Sequence, residues 1–424
     1  SDKEKGAIRM NCLETMNTIL MIAFLVCYAY QFFYILVPHI KKDKPHKQAK
    51  LHRYAVLICA RNEEAVIADL IDSLHGQTYP QDKLKIFVMA DNCTDRTADA
   101  ARAAGATVYE RFDREKVGKG YALDALLGHI AQDEPEGFDG YFVFDADNLL
   151  RPDYIERMNE TFSDGHDIVT SYRNSKNYGD NWISAGYGLW FLRESEYLNH
   201  ARMLQGTSCA VSGTGFLFSR KVLREQGGWP FHLLIEDIQF SVSHILDGYK
   251  IAFCPQAELF DEQPVTFRQS WRQRMRWSRG YLQVLRRYGL KLCGGMFKGS
   301  FSCYDMSMNI LPAFVFSVLS CVTNVTLITM QLVEGANAAA LLSLLQMLSS
   351  MYLTLFLIGA ITTATQWKKI HTAAWKKILY AFTFPVFMFT YVPISIAAIF
   401  TKVQWKPIQH SITAKQVAAD LIHH

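Results

Sequence analysis

The sequence predicts an α/β protein whose mostly parallel sheet is joined to α-helical transmembrane and interfacial helices. Three observations lead there. Between residues 54 and 261, apolar runs of strand length alternate with helix-periodic segments. An uncharged apolar stretch precedes this region, and an acid-free, arginine-rich segment followed by long apolar stretches comes after it. The 424 residues are 50% hydrophobic and 20% charged, which excludes a disordered chain. Mean hydropathy is +0.01, the average of unlike parts. A net charge of +4, from 44 basic and 40 acidic residues, is too small to argue for a nucleic-acid partner.

Residues 18–37 form the first apolar stretch, matching the ~20 residues that a membrane helix needs. Lys41, Lys42, Lys44, Lys47, Lys50 and Arg53 follow at once, so the positive-inside rule puts the next region in the cytoplasm. Residues 1–50 are therefore read as an anchor and basic linker, without a cleavable signal peptide. The nine cysteines show no C-x-x-C pair and no zinc-site spacing, as expected of reduced packing residues.

Residues 51–262 read as a cytoplasmic α/β unit. Strands are predicted at 54–60, 85–90, 141–144 and 167–172, with helices including 65–74, 96–104 and 119–130. Short connections between them imply a parallel sheet, in which ligands bind where loops leave the carboxyl ends of the strands. Residues 263–300 carry only positive charges, interleaved with aromatic and apolar residues at three- or four-residue spacing. Such a segment suits a membrane surface. Residues 301–424 supply a hairpin of spans over 306–332 and 338–363, then an apolar stretch at 378–400 that Pro385 and Pro393 are expected to break. With Lys402, Lys406 and Lys415 beyond it, that stretch is expected to re-enter rather than cross, leaving a cytoplasmic tail. The whole is expected to be a multi-pass protein of the plasma membrane.

Chemistry-bearing residues fall at the predicted strand ends. The first strand ends near Arg61, Asn62 and Glu63, the second at Asp91. Such groups can hydrogen-bond a base and ribose, and residues 92–95 can equally cap the helix that follows. Lys119 lies between Gly118 and Gly120 at a helix start, able to approach phosphate or to sit solvated in a loop. Asp145 and Asp147 directly follow a strand, where two carboxylates can share a hard divalent cation, Mg²⁺ or Mn²⁺, or cap a turn. Glu236 and Asp237 open a helix, as a general base or as charge compensation for the helix dipole. Gln273, Arg276 and Trp277 lie on the basic segment. Arginine can neutralise a diphosphate bidentately, and an indole offers a platform for a sugar ring.

Asp91, the Asp145-Ala-Asp147 motif, Glu236–Asp237 and the Q-x-x-R-W motif at Gln273, Arg276 and Trp277 stand in the order found in membrane-bound family-2 glycosyltransferases. Over residues 54–290 the chain resembles the inverting, processive synthases of cellulose, chitin, hyaluronan and poly-N-acetylglucosamine. That resemblance implies a GT-A-type catalytic unit polymerising a UDP-hexose, glucose or N-acetylglucosamine, into a β-linked polysaccharide that crosses the membrane. It implies that Arg61, Glu63 and Asp91 hold uridine, with Lys119 near the nucleotide. Asp145 and Asp147 bind the metal, and Asp237 is the base. Gln273 and Arg276 contact the diphosphate, while Glu236 and Trp277 face the acceptor. The segment around Trp405 is similar to the nucleotide-closing element of hyaluronan synthases. Partners implied are the UDP-sugar, the growing polysaccharide or oligosaccharide, the bilayer and accessory secretion proteins, with no nucleic acid. One departure is Ile235, where many cellulose synthases have threonine. A single-transfer enzyme acting on a lipid, and a membrane component that only binds nucleotide sugar, are the alternatives.

Overall fold

The computed structural model describes residues 2–310, 312–403, 410 and 412–417. It opens with one helix, α1 (Asp2–Ile40), which begins well before the apolar stretch. Strand and helix then alternate through β1 (Tyr54–Ala60), α2 (Ile67–His75), β2 (Leu84–Asp91), α3 (Thr97–Ala103), β3 (Thr107–Arg111), α4 (Lys119–Asp133) and β4 (Gly140–Asp145). Next come β5 (Leu149–Leu150), α5 (Tyr154–Ser163) and β6 (Ile168–Ser175). A longer helical run follows, made of α6 (Trp182–Arg193), a π-helical segment (Glu194–His200) and α7 (Ala201–Gln205). The unit closes with β7 (Phe216–Ser219), α8 (Arg220–Gln226), α9 (Glu236–Leu246) and β8 (Ile251–Asp261).

The eight strands form one sheet in the order β3-β2-β1-β4-β7-β6-β8-β5. Pairings β3–β2, β2–β1, β1–β4 and β6–β8 are parallel, while β7 runs antiparallel to both β4 and β6, and β5 to β8. Alternate residues of β1 feed opposite faces: Ala55 and Leu57 join one apolar cluster, Val56 and Ile58 the other. Burial on both faces explains why this strand reads as an unbroken apolar run rather than an alternation. The prediction passes over β8, because Pro255 interrupts it. The pairing with β6 slips between Ser171 and Tyr172, and residues 255–257 bulge out, so the missing N–H costs the ladder little.

Beyond the sheet, α10 (Phe267–Phe297) is one continuous helix of 31 residues. It is followed by α11 (Phe301–Ile310), α12 (Pro312–Val333), α13 (Asn337–Thr365), α14 (Ala374–Phe389) and α15 (Tyr391–Phe400). The predicted span at 306–332 falls across α11 and α12. Among the described residues, 8–40, 337–365 and 374–400 are long and apolar enough to cross a membrane. The chain is therefore read as a membrane protein.

The break in the last apolar stretch falls at Thr390, and Pro385 is accommodated inside α14, contrary to a break at both prolines. Pro393 has no N–H to offer the carbonyl four residues earlier, which is that of Phe389, the last residue of α14. Arg274 of α10 occupies this gap, its Nη1 donating to Phe387 O at 3.1 Å and Thr390 Oγ1 at 2.7 Å. From there α15 runs beside α10. Ser278 meets Ser395 at 3.3 Å, and Arg279 donates to the carbonyls of Ala398 and Ile399 at 3.3 and 3.2 Å. The α13–α14 connection docks on the sheet unit, with Tyr172 bonded to Gln366, Asn174 to the Lys369 carbonyl, and Ile370 in the core. The described tail also lies on that unit: the Ala414 N–H donates to Asp69, and Val417 packs on Leu149 and Phe260.

Candidate active site

A cavity of about 210 Å³ opens at the carboxyl ends of β1, β2, β4, β6 and β8, under α10. Its wall includes Arg61, Glu63, Asp91, Lys119, Asp145, Asp147, Glu236, Asp237, Gln273, Arg276 and Trp277. Eleven of the twelve residues to which the family resemblance gives a role thus face one space; the twelfth, Trp405, lies outside the described residues, and Asn62 does not line the cavity.

Local backbone chemistry aims these groups. Asn62 and Asn92, immediately after β1 and β2, adopt left-handed φ of 59° and 54°, a conformation asparagine tolerates better than most residues. The Asn62 side chain receives the Thr94 N–H at 2.8 Å, tying the two strand ends together. Asp91 is 4% exposed and is held by Arg111 Nη1 at 2.6 Å. Lys119 is neither a solvated loop residue nor free. Its ammonium turns inward to Asp145 and to the Gly213 carbonyl at 2.7 Å. Gly213 has φ +80°, and a Cβ there would stand 3.6 Å from Asp237 Oδ2, so its lack of a side chain keeps this corner open.

The acidic groups differ in surroundings. Asp147 accepts the Glu262 N–H at 2.8 Å; burial opposes its ionisation, yet His410, Lys176 and Arg173 hold its carboxyl below the usual range. Glu63 has both carboxylate oxygens 3.0 Å from His410 Nδ1, and burial pushes it up to about 7 against that neighbour. Glu236 is raised to about 7 by burial and then by the adjacent Asp237, with Lys119 and Arg276 opposing. Burial likewise raises Asp237. On α10, Arg276 donates to the Leu234 carbonyl at 3.1 Å, and the buried Gln273 Oε1 has no hydrogen-bond partner among the described residues. Trp277 meets Tyr187 and Phe191 edge-on, at centroid distances of 5.7 and 6.2 Å.

Among the described residues, no group of three His, Cys, Asp or Glu side chains is arranged to hold a metal ion. Asp145 and Asp147 nevertheless face the same cavity. A two-carboxylate, oxygen-only set fits Mg²⁺ or Mn²⁺, which commonly fill their remaining sites with water and substrate phosphates.

A family model described as "Glycosyltransferase like family 2" matches residues 52–280, more than half of the chain. This chain belongs to that family. Proteins similar to it in sequence include a β-monoglucosyldiacylglycerol synthase of Synechocystis, 27% identical over 244 residues, covering 56% of this chain and 50% of that protein. A poly-β-1,6-N-acetyl-D-glucosamine synthase of Staphylococcus epidermidis is 25% identical over 260 residues, covering 58% and 60%. The chain thus spans about half to three-fifths of the length of these relatives. In fold it resembles a mannosyltransferase of Pyrobaculum calidifontis solved with GDP-mannose and Mn²⁺, with a TM-score of 0.59 at 16% identity, covering 91% of this chain and 99% of that one.

The glycosyltransferase cavity also holds residues that the sequence reading missed. Arg173, near the end of β6, pairs through Nε at 2.8 Å and through Nη2 with Asp261, the last residue of β8. Its Nη1 donates to the Ser212 carbonyl at 2.9 Å, and its guanidinium lies 3.7 Å above the Phe191 ring. Glu262, Glu194 and His410 also line the cavity, as do the aromatic side chains of Trp190, Phe191 and Tyr281. Asp261 and Glu262 carried a usable signal, an acidic pair directly after an apolar run, hidden by the proline that masked β8. His410 carried none, because only the tertiary return of the tail brings it to Glu63.

Proposed function

We propose that this protein is an inverting, UDP-hexose-dependent hexosyltransferase that extends a β-linked polysaccharide at the membrane surface. The observation that carries this reading is the convergence, on one cavity, of the Asp145/Asp147 strand end, the Glu236/Asp237 helix start and the Gln273/Arg276/Trp277 face of α10. In this scheme Arg61, Glu63 and Asp91 bind uridine, and Lys119, Gln273 and Arg276 hold the diphosphate. Asp145 and Asp147 would hold a divalent cation, which supplies positive charge against the departing diphosphate. Asp237 takes the proton from the acceptor hydroxyl as it attacks the anomeric carbon, and the buried, raised carboxyl is suited to a base that works near neutral pH. A single displacement with inversion needs one base and no covalent intermediate. Trp277, backed by Tyr187 and Phe191, provides a rigid wall for the acceptor sugar, with Glu236 beside it.

The catalytic unit and the tail belong on the cytoplasmic side in this reading, beside the basic run at 41–53. The return of α15 along α10 and the docking of residues 412–417 on the sheet unit support a last apolar stretch that doubles back.

A second reading, a single transfer to a lipid, is favoured by the likeness to a diacylglycerol-glucosylating relative. The deciding experiment uses the full chain in detergent, a panel of radiolabelled UDP-sugars, and product sizing with and without a chelator. Polymer whose formation stops on chelation supports the proposal. A product of one sugar on lipid overturns polymerisation, and the absence of UDP release from every donor overturns the transfer reading itself.

A further inference from the structure

Three carboxylates in the cavity have no part in the transfer scheme; Asp261 is paired with Arg173 and Glu262 accepts the Ile412 N–H at 2.8 Å, and the third is Glu194. Glu194 lines the wall at the point where α6 passes into the π-helical segment. Trp190 and Phe191 precede it by four and three residues, the spacing that puts side chains on one helix face, and both line the same space. Trp277 and Tyr281 approach from α10, also four residues apart. Because Trp277 meets Phe191 edge-on at 6.2 Å, the two helices join in an aromatic wall with Glu194 set beside it.

The helix changes its facing at this residue. Up to Glu194 it serves the cavity; beyond, Leu198 and Ala201 pack on Tyr34 and Val37 of α1. A π-helical segment inserts the extra residue that such a change of phase requires, and such segments gather at functional sites. Glu194 lies beside the Ser212 side chain; burial raises its carboxyl, the positive charges of Arg173 and Arg202 oppose that, and the negative charge of Asp237 adds to it. Arg173 is itself committed to Asp261 and to the Ser212 carbonyl, and among the described residues no ion pair joins it to Glu194. A carboxyl group offers several acceptor lone pairs, so a neighbouring serine leaves acceptor capacity for a ligand. Aromatic faces suited to the C–H face of a sugar ring, beside a carboxylate able to take its hydroxyls, make a carbohydrate-binding arrangement.

Resting on the transfer reading above, we propose that Glu194 accepts hydrogen bonds from hydroxyls of the acceptor's terminal sugar and so selects a neutral carbohydrate end. A bare lipid alcohol lacks the second hydroxyl, and an acidic sugar would meet the negative charges of Glu194 and Asp237.

The test uses the full chain in detergent with UDP bound, and tetramers of β-linked glucose or N-acetylglucosamine as probes. Tetramer binding is read by tryptophan fluorescence and UDP binding by calorimetry. Glu194→Gln should weaken tetramer binding about tenfold, as loss of a charge-assisted acceptor does, with UDP affinity unchanged. Where transfer is measurable, acceptor KM should rise while donor KM holds. Ser212→Ala, a milder change, should move the same readout in the same direction and serves if the first variant does not fold. Wild-type protein that binds UDP but neither tetramer overturns the proposal, as does a variant that binds tetramers normally or loses UDP and tetramer in parallel. Tetramer binding without UDP release from any donor would sink the transfer reading and leave the Glu194 assignment standing.

Discussion

Two buried charge clusters sit close to one helical run, and they are built on opposite principles. At α7, Arg202 gives Nε and Nη2 to the two oxygens of Asp305, each at 2.8 Å. Tyr30 and Tyr34 of α1 donate to the same two oxygens at 2.8 and 2.9 Å. Both charged side chains are 1% exposed. Four donors converge on one carboxylate, so the cluster is a closed joint between the catalytic unit, the first helix and α11. The cavity at the other end gathers Glu236, Asp237 and Asp145, raises the first two through burial, and leaves Gln273 Oε1 without a hydrogen-bond partner among the described residues. Satisfied buried charge holds a structure together; like charges and unmet hydrogen-bonding capacity in a buried place mark a site awaiting a ligand.

That contrast can be broken or sharpened by four measurements. Asp237→Asn should lower transfer by about 10²–10⁴-fold, the usual span for a positioned general base, with UDP binding and thermal stability retained. Near-normal UDP release would remove Asp237 as the base. Asp305→Ala strands a buried guanidinium and should cost about 3–5 kcal/mol, read as thermal unfolding in detergent, with donor KM unchanged in the surviving folded fraction. A changed donor KM at full stability would make the joint part of the site and dissolve the comparison.

Gln273→Leu should go the other way: donor KM rises about tenfold, while stability holds or rises, because a buried acceptor without a partner among the described residues is removed. Loss of stability would mean that the amide serves the fold. The smallest effect is on pH dependence. Asp237 must be ionised to act as a base, and burial raises its carboxyl, so kcat/KM should fall on acidification with an apparent midpoint above the usual value of about 4. An acid limb at the unperturbed carboxylate position would place the base in a solvated environment.

Much of the catalytic unit was legible in the sequence because its signals are local. Strands β1, β2 and β4 are largely apolar runs of strand length with acidic or amide residues marking where each ends, and β6 shows itself by β-branched and aromatic residues at its start. The membrane-flanking charge pattern and the aromatic, arginine-rich α10 were equally plain, since helix periodicity is a property of neighbours three and four apart. Strand β8 was not legible, because a bulge that only its partner strand can stabilise hides the alternation around Pro255.

The linear chain by itself thus determined the α/β class, the order of its main elements and the residue types available at the strand ends. Tertiary structure alone decided who meets whom: Lys119 with Asp145, Arg173 with Asp261, His410 with Glu63, and Arg274 with the gap at Thr390. It also separated the closed joint at Arg202–Asp305 from the open cavity, although both are written in the same arginines and carboxylates. The reason is physical. Periodicity and capping act within a few residues, whereas the worth of a charge depends on burial and on partners brought from far along the chain, as Arg202 and Asp305 are.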